Sequence, residues 1–329
     1  MPKRLDPFFH VEPPVIFAHR GGAGEVPEST EEAFRHAAMT VGVQVLELDI
    51  QVAGDGEIVV WHGPGLGNVH DGTRFLKGLH INKILFNTEL KDRAWVAHPR
   101  LPNKMDRSPQ RTLLTLKEFF ALVNRMEEEL RQQGRPRKLH LNIELKPGRN
   151  LPCIDGTSRW SGAWERLFQL LAPEAEKRRI ILASARHGIL EELRNRMAVA
   201  GSRPFVTNLS PDEQLSFGRL FSNTLAGHAF RLMGLFCFRM RRPPATPYAL
   251  ETYYRLPTAE MVRRVHEEGG ALYVFLTGLM GFPSVDDQPE DRLAAVLGEL
   301  VHMGVDGIMT DFPRKVMRIL QEGNVPGVL

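Results

Sequence analysis

Eight short apolar or β-branched runs alternate with amphipathic segments of helix length, and this alternation constrains the chain more than any other feature. The runs are 15–18, 45–52, 139–145, 180–184, 205–208, 249–253, 271–276 and 307–310. Alternation of this kind gives parallel strands joined by crossover helices. Eight such strands in 329 residues favour a closed (β/α)8 TIM barrel over an open doubly wound sheet. The expected organisation is one barrel domain over residues 1–329.

Several helices carry readable start signals. Ser29 with Glu32, and Thr115 with Glu118, match the reciprocal capping box in which each side chain satisfies an orphan backbone N–H. After the second box, Leu116, Phe119, Phe120, Val123, Met126 and Leu130 recur at helical spacing and form one apolar stripe. Thr258 precedes a helix with Met261, Val262 and Val265 inward and Gly269 placed to end it. Pro289 opens another, whose Leu293, Val296, Leu297, Leu300 and Val301 face the core.

Two segments break the alternation. Residues 63–111 are rich in Gly, Asn, His and charge and are too long for a barrel loop, so they read as an insertion after the second strand, over the barrel mouth. Residues 216–247 lead from an apolar run into Arg239, Met240, Arg241 and Arg242.

Composition excludes several classes. Apolar residues are 43% and charged residues 25% of the chain, values of a folded globular protein. A net charge of +3 is too small over this length to mark a nucleic-acid binder. Residues 1–14 lack the apolar run of a secretory signal and read as a mature N-terminus. The most apolar stretch, 225–240, is broken by His228 and Arg231 and falls short of a membrane span. The two cysteines, Cys153 and Cys237, make no disulfide framework, which points to a reducing cytoplasm.

The chemistry concentrates in three places. In run 45–52, Glu47, Asp49 and Gln51 share one face and Leu46, Leu48 and Ile50 the other. The two carboxylates lie roughly 6 to 7 Å apart along the backbone, near enough for one hard cation. The same alternation puts Asn142, Glu144 and Lys146 on one face of another strand. A single Asp or Glu is usually a solvated surface group, but three flanked by apolar residues point to a shared metal. His19, Arg20, Gly21 and Gly22 follow the first strand at its carboxyl end, where barrel active sites form. The Arg20 fork matches phosphate oxygens, and the glycines let backbone N–H groups approach an anion. Asp55 and Gly56 signal a two-residue hairpin that returns His62 beside the Glu47 and Asp49 strand. With a pKa near 6.5, His19 and His62 can act as general acid and base. The other histidines, including His70, His98, His187 and His228, read as surface or loop residues.

In order and spacing, His19-Arg20-Gly21, Pro27-Glu28-Ser29-Thr30, Glu47-Leu48-Asp49, Asp55-Gly56 to His62, Asn142-Ile143-Glu144-Leu145-Lys146 and the closing run from Gly304 to Pro313 resemble the glycerophosphodiester phosphodiesterase family. The resemblance implies a (β/α)8 barrel with a small insertion after the second strand and one divalent cation, Mg2+ or Ca2+, at the mouth. It implies metal ligands at Glu47, Asp49 and Glu144, catalytic histidines at His19 and His62, a phosphate contact at Arg20 and a supporting Lys146. Glu28 matches a family position near the metal and substrate. The chain departs from the family pattern at Phe275-Leu276-Thr277-Gly278, where Trp-Thr-Val-Asn is frequent and where Phe275 keeps an aromatic substrate contact. It departs again at Gly63, where an Asp is usual.

The function expected is metal-assisted hydrolysis of a small-molecule glycerophosphodiester to an alcohol and glycerol 3-phosphate. Arg20 and the cation neutralise the phosphate, one histidine activates water or the glycerol 2-hydroxyl, and the other protonates the leaving alcohol. The runner-up is a lysophospholipase D acting on lysophospholipid, with peripheral membrane contact through the apolar and basic residues 230–242. A barrel that only binds phosphate-bearing ligands is the reading from another class, and both histidines and all three carboxylates argue against it. A sphingomyelinase D-like enzyme shares the two-histidine chemistry, but the Glu144 and Lys146 motif fits it less well.

Overall fold

The computed structural model describes residues 5–63, 65–97, 108–146, 159–184, 189, 192–193, 196, 206–209, 249–278 and 283–323. The chain divides into two compact units, one of residues 1–17 with 181–329 and one of residues 18–180. Its strands are β1 (Val15–Ala18), β2 (Val45–Val52), β3 (Ile58–Val60), β4 (Gly65–His70), β5 (Phe75–His80), β6 (Trp95–Val96), β7 (Leu114–Thr115), β8 (His140–Leu145), β9 (Ile180–Ala183), β10 (Val206–Leu209), β11 (Ala249–Tyr253), β12 (Ala271–Phe275) and β13 (Gly307–Thr310). The eight runs read from the sequence are β1, β2 and β8 to β13, within about a residue at each end.

In the unit of residues 18–180, β2 runs parallel to β8, with Glu47 opposite Asn142 and Asp49 opposite Glu144. β3 returns antiparallel on the other side of β2, and β7 pairs with β3. The hairpin closes with the Ala53 N–H donating to the Glu57 carbonyl at 2.8 Å, so its loop has three residues where two were expected. Asp55 is spent on pinning that loop, accepting from the Glu57 and Asn87 N–H groups.

The long segment after β3 is a packed piece with its own sheet, in the order β5-β4-β6. Its apolar cluster joins Leu66, Val69, Leu76, Phe86 and Leu90 to Val59 and Trp61. His70 belongs to this core and not to the surface: it is 7% exposed and stacks on Trp95 at 4.8 Å. An imidazole can be buried there because its Nδ1 accepts the Gly72 N–H at 3.0 Å. His98, His187 and His228 lie outside the described residues.

Among the described residues this unit carries the α-helices α1 (Glu31–Arg35), α2 (Leu116–Gln132) and α3 (Trp164–Ala175). The cap of α1 is Thr30, whose hydroxyl accepts from the Ala33 N–H, and not Ser29. Ser29 is one residue too early: it stands in the left-handed region at φ 60°, and its hydroxyl makes no hydrogen bond to the helix end. Thr115 and Glu118 form the full reciprocal box expected for α2, and all six residues of the expected stripe are buried.

The unit of residues 1–17 with 181–329 sets β9, β10, β11, β12 and β13 side by side, each parallel to the next, with β1 beside β13. Among the described residues it carries the helices α4 (Ala259–Glu267), α5 (Glu290–Met303) and α6 (Pro313–Gln321). Thr258 caps α4, and Met261, Val262 and Val265 are buried as expected. In α5, Leu293, Leu297 and Leu300 are buried, but Val296 and Val301 are half-buried, with Ala294 and Gly298 turned inward. Gly307 is required by packing. A Cβ there would lie 2.5 Å from the Phe17 ring and 2.8 Å from Tyr273. The segment 216–247, with the basic and apolar residues 230–242, lies outside the described residues. Among the described residues no helix is long and apolar enough to cross a membrane.

Candidate active site

His19, Arg20 and Gly21 form one tight turn directly after β1. Arg20 sits at φ 50° and ψ 31°, a left-handed conformation that non-glycine residues rarely adopt and that clusters at functional sites. The turn is pressed onto α1. A Cβ on Gly21 would meet the Ala33 Cβ at 2.6 Å and the Ala33 carbonyl carbon at 2.8 Å, so only glycine allows the approach. The strained turn aims the Arg20 N–H at Glu47 Oε2, 2.8 Å away. Its side chain spans two acids, with Nη1 donating to Glu28 Oε2 at 3.0 Å and Nε 3.2 Å from Asp49 Oδ2. His19 Nε2 lies 4.0 Å from Glu47 Oε2.

The alternation of β2 places Glu47, Asp49 and Gln51 on one face as expected, and all three are buried. The register with β8 brings Glu144 opposite Asp49. Lys146, whose backbone N–H donates to the Ile50 carbonyl, turns its Nζ to 2.9 Å from Asp49 Oδ1 and 2.7 Å from Glu144 Oε1. One oxygen from each of Glu47, Asp49 and Glu144 lies within 4.8 Å of the others. The antiparallel return of β3 brings the Trp61 N–H to the Asp49 carbonyl at 2.9 Å, which seats His62 in the field of Asp49, Arg20, Lys146 and His19.

Burial governs the electrostatics, and the neighbours decide the sign. Burial and the adjacent Asp49 push the Glu47 carboxyl up to about 8, against His19 and the Arg20 amide. Burial likewise raises Glu144, with Lys146 opposing. For Asp49 burial works upward too, but Lys146, His62 and Arg20 outweigh it and hold the group well below the usual carboxylate range. Burial of Lys146 is outweighed by Asp49 and Glu144, which keep it charged. Burial pushes His62 down to about 2, against Asp49 and helped by Arg20 and Lys146.

This set of groups fits a divalent cation. Both Asp49 oxygens are buried and have no aligned hydrogen bond, although carboxylates buried in proteins are ordinarily saturated with donors. Burial shifts Glu47 and Glu144 toward the protonated form even with Arg20 and Lys146 beside them, a shift that a bound divalent cation would oppose. An oxygen-only donor set of carboxylates suits Mg2+ or Ca2+.

The structure thus brings seven predicted residues together in one unit: Arg20, Glu28, His19, Glu47, Asp49, Glu144 and Lys146. It sets His62 among them. Phe275 stands in the other unit, at the last position of β12, with its ring 5.8 Å from that of Tyr253. Sequence reasoning put Gln51 on the right face but assigned it no role. Its amide nitrogen lies 3.1, 3.0 and 2.6 Å from the carbonyls of Trp61, His62 and Gly63. The signal available was an amide in line with two acids on a strand buried on both faces.

A sequence profile of the Glycerophosphoryl diester phosphodiesterase family matches residues 19–315. The chain is 25% identical over 310 residues to a glycerophosphodiester phosphodiesterase of Caldanaerobacter subterraneus subsp. tengcongensis, covering 94% of this chain and 98% of the relative. It is 49% identical over 49 residues to lysophospholipase D GDPD1 of Rattus norvegicus, 15% of each chain. The solved structure of an Oleispira antarctica phosphodiesterase in complex with the product sn-glycerol-3-phosphate superposes with a TM-score of 0.57 at 18% identity, covering 94% of this chain and 97% of that one. The fold is therefore the shared one, the α/β class of the (β/α)8 TIM barrel expected from the alternating elements.

Proposed function

The chain belongs to the glycerophosphoryl diester phosphodiesterase family, and from that premise we propose that it hydrolyses glycerophosphodiesters to an alcohol and sn-glycerol 3-phosphate with a divalent cation bound. One observation carries the reading: three buried or half-buried carboxylates converge within 4.8 Å beside two cations, Arg20 and Lys146, held by the same acids. Glu47, Asp49 and Glu144 would hold the Mg2+ or Ca2+, which supplies charge neutralisation at the phosphate.

Arg20 is preorganised for a phosphate oxygen. Its fork is fixed by Glu28 and Asp49, so little side-chain entropy is lost on binding. Lys146 sits in the same field and balances charge as it builds on the phosphorus oxygens. His19 and His62 divide the two proton transfers. One takes the proton of the attacking hydroxyl as the new P–O bond forms, either from water directly or from the glycerol 2-hydroxyl, in which case water opens the resulting cyclic phosphate in a second displacement that breaks its 2-O–P bond. The other gives a proton to the alkoxide as the ester P–O bond breaks. The enzyme works in the cytoplasm, as its cysteine usage suggests.

The match to a lysophospholipase D over 49 residues favours a second reading, the same chemistry on lysophospholipids, with residues 230–242 as a peripheral membrane contact. One assay tests both. Choline release from glycerophosphocholine and from lysophosphatidylcholine is followed with Mg2+, with Ca2+ or with EDTA, beside His19→Ala. Turnover of the water-soluble diester that needs both metal and His19 is expected. Turnover of the lipid alone would promote the second reading, and turnover of neither, across other head groups as well, would sink both.

A further inference from the structure

We propose that Gln51 is a positioning residue for His62, an inference that rests on the hydrolase reading above. The His62 ring hangs on a turn that leaves β3 and has no ladder partner of its own. Among the described residues, what ties this turn to β2 is the Trp61 N–H to the Asp49 carbonyl at 2.9 Å and the Gln51 amide. That amide nitrogen faces three successive carbonyls, those of Trp61, His62 and Gly63, at 3.1, 3.0 and 2.6 Å. Its orientation is unambiguous on chemical grounds. A flipped amide would turn an oxygen toward three carbonyl oxygens, which no donor could then satisfy.

Gln51 is 4% exposed, so water cannot replace it. It stands on the same face of the same strand as Glu47 and Asp49, which carry the acids. The strand that fixes the charged cluster therefore also fixes the peptide that bears the histidine. A second donor clasps the far side of the turn: the Trp61 indole N–H donates to the Gly65 carbonyl at 3.1 Å. Removal of the Gln51 amide leaves three carbonyls with no donor from β2 and frees the turn to pivot about Trp61. A displacement of about 1 Å in a catalytic group costs about 100-fold in rate.

The test is a double-mutant cycle on the full chain with Gln51→Met, His62→Ala and the pair, with thermal unfolding recorded for each. Gln51→Met is expected to lower kcat about 10- to 100-fold and leave KM within about twofold. In the His62→Ala background the same change is expected to cost less than about twofold, because no ring remains to be positioned. Equal losses in the two backgrounds, or an unchanged kcat, would overturn the inference. If Gln51→Met does not fold, Gln51→Asn, which keeps the amide but draws it back by one methylene, serves in the same cycle. Should the unmodified chain turn over no glycerophosphodiester, the hydrolase reading fails and the His62 ring resonances decide the inference. One set of signals that splits or broadens in the Gln51 variant supports it, and identical spectra refute it.

Discussion

Two sets of buried aspartates face opposite fates in this chain. In the unit of residues 1–17 with 181–329, Asp6 and Asp306 are fully buried, yet both are saturated with donors. Asp6 accepts from the Phe8 and Phe9 N–H groups and from the Tyr273 hydroxyl, and Asp306 from the Leu272 N–H and the His266 ring. In the other unit Asp49 is as deeply buried, but among the described residues its oxygens have no aligned hydrogen bond and are met by the charges of Arg20 and Lys146. A saturated carboxylate stabilises a fold, whereas an unsaturated one keeps coordination capacity for a ligand.

The comparison breaks most easily at Glu47. Glu47→Gln keeps the shape and removes one anionic ligand, and kcat/KM is expected to fall about 1,000-fold, as befits loss of several kcal/mol of charge stabilisation. The fold should not weaken. With its carboxyl pushed up to about 8, Glu47 binds a proton more tightly folded than unfolded. Its contribution to stability is therefore full below its unfolded value near 4.5 and is lost as pH rises through about 8. Urea unfolding in EDTA between pH 5 and 8.5 should show stability falling with pH in the unmodified chain and a flatter profile in Glu47→Gln. A parallel fall in both would sink the contrast.

Asp6→Ala asks the opposite of the saturated class. It strands two backbone donors and a buried phenol, and a loss of about 2–4 kcal/mol is expected, read by urea unfolding, with kcat/KM of the folded fraction within about threefold. An Asp6→Ala chain that stays stable but loses turnover would show that the division by saturation is wrong.

The smallest expected effect sharpens the site side. Ser29 is fully buried, its hydroxyl has no hydrogen bond, and its φ of 60° is one that glycine adopts freely and serine disfavours. Ser29→Gly relieves that backbone strain and removes the unpartnered hydroxyl, and is expected to stabilise by about 0.5–1 kcal/mol, seen as a shift in the urea midpoint. Destabilisation would show that the Ser29 side chain packs more favourably than its backbone angle costs.

Much of the architecture was legible residue by residue. The alternation of β2 put Glu47, Asp49 and Gln51 on one face, and Thr115 with Glu118 and Thr258 marked helix starts where the structure has them. The misreadings share a cause. Ser29 and Thr30 both satisfy a capping pattern, and only the backbone angle at Ser29 chose between them. His70 looked like a loop residue because its neighbours are polar and glycine-rich, but its burial comes from Trp95, on a strand that pairs with its own across a long loop. Gln51 carried no motif, since the carbonyls it holds belong to the next strand.

The sequence alone determined the order of elements, the faces of the strands and the residue types of the site, because periodicity and capping are set by neighbours within about four positions. Tertiary structure alone decided which acid each cation holds, that Asp49 is left without aligned donors and where the Gln51 amide reaches. Arg20 meets Glu47 across 27 residues and Arg35 meets Glu129 across 94. Such distances are closed by strand register and by packing, which no local pattern encodes.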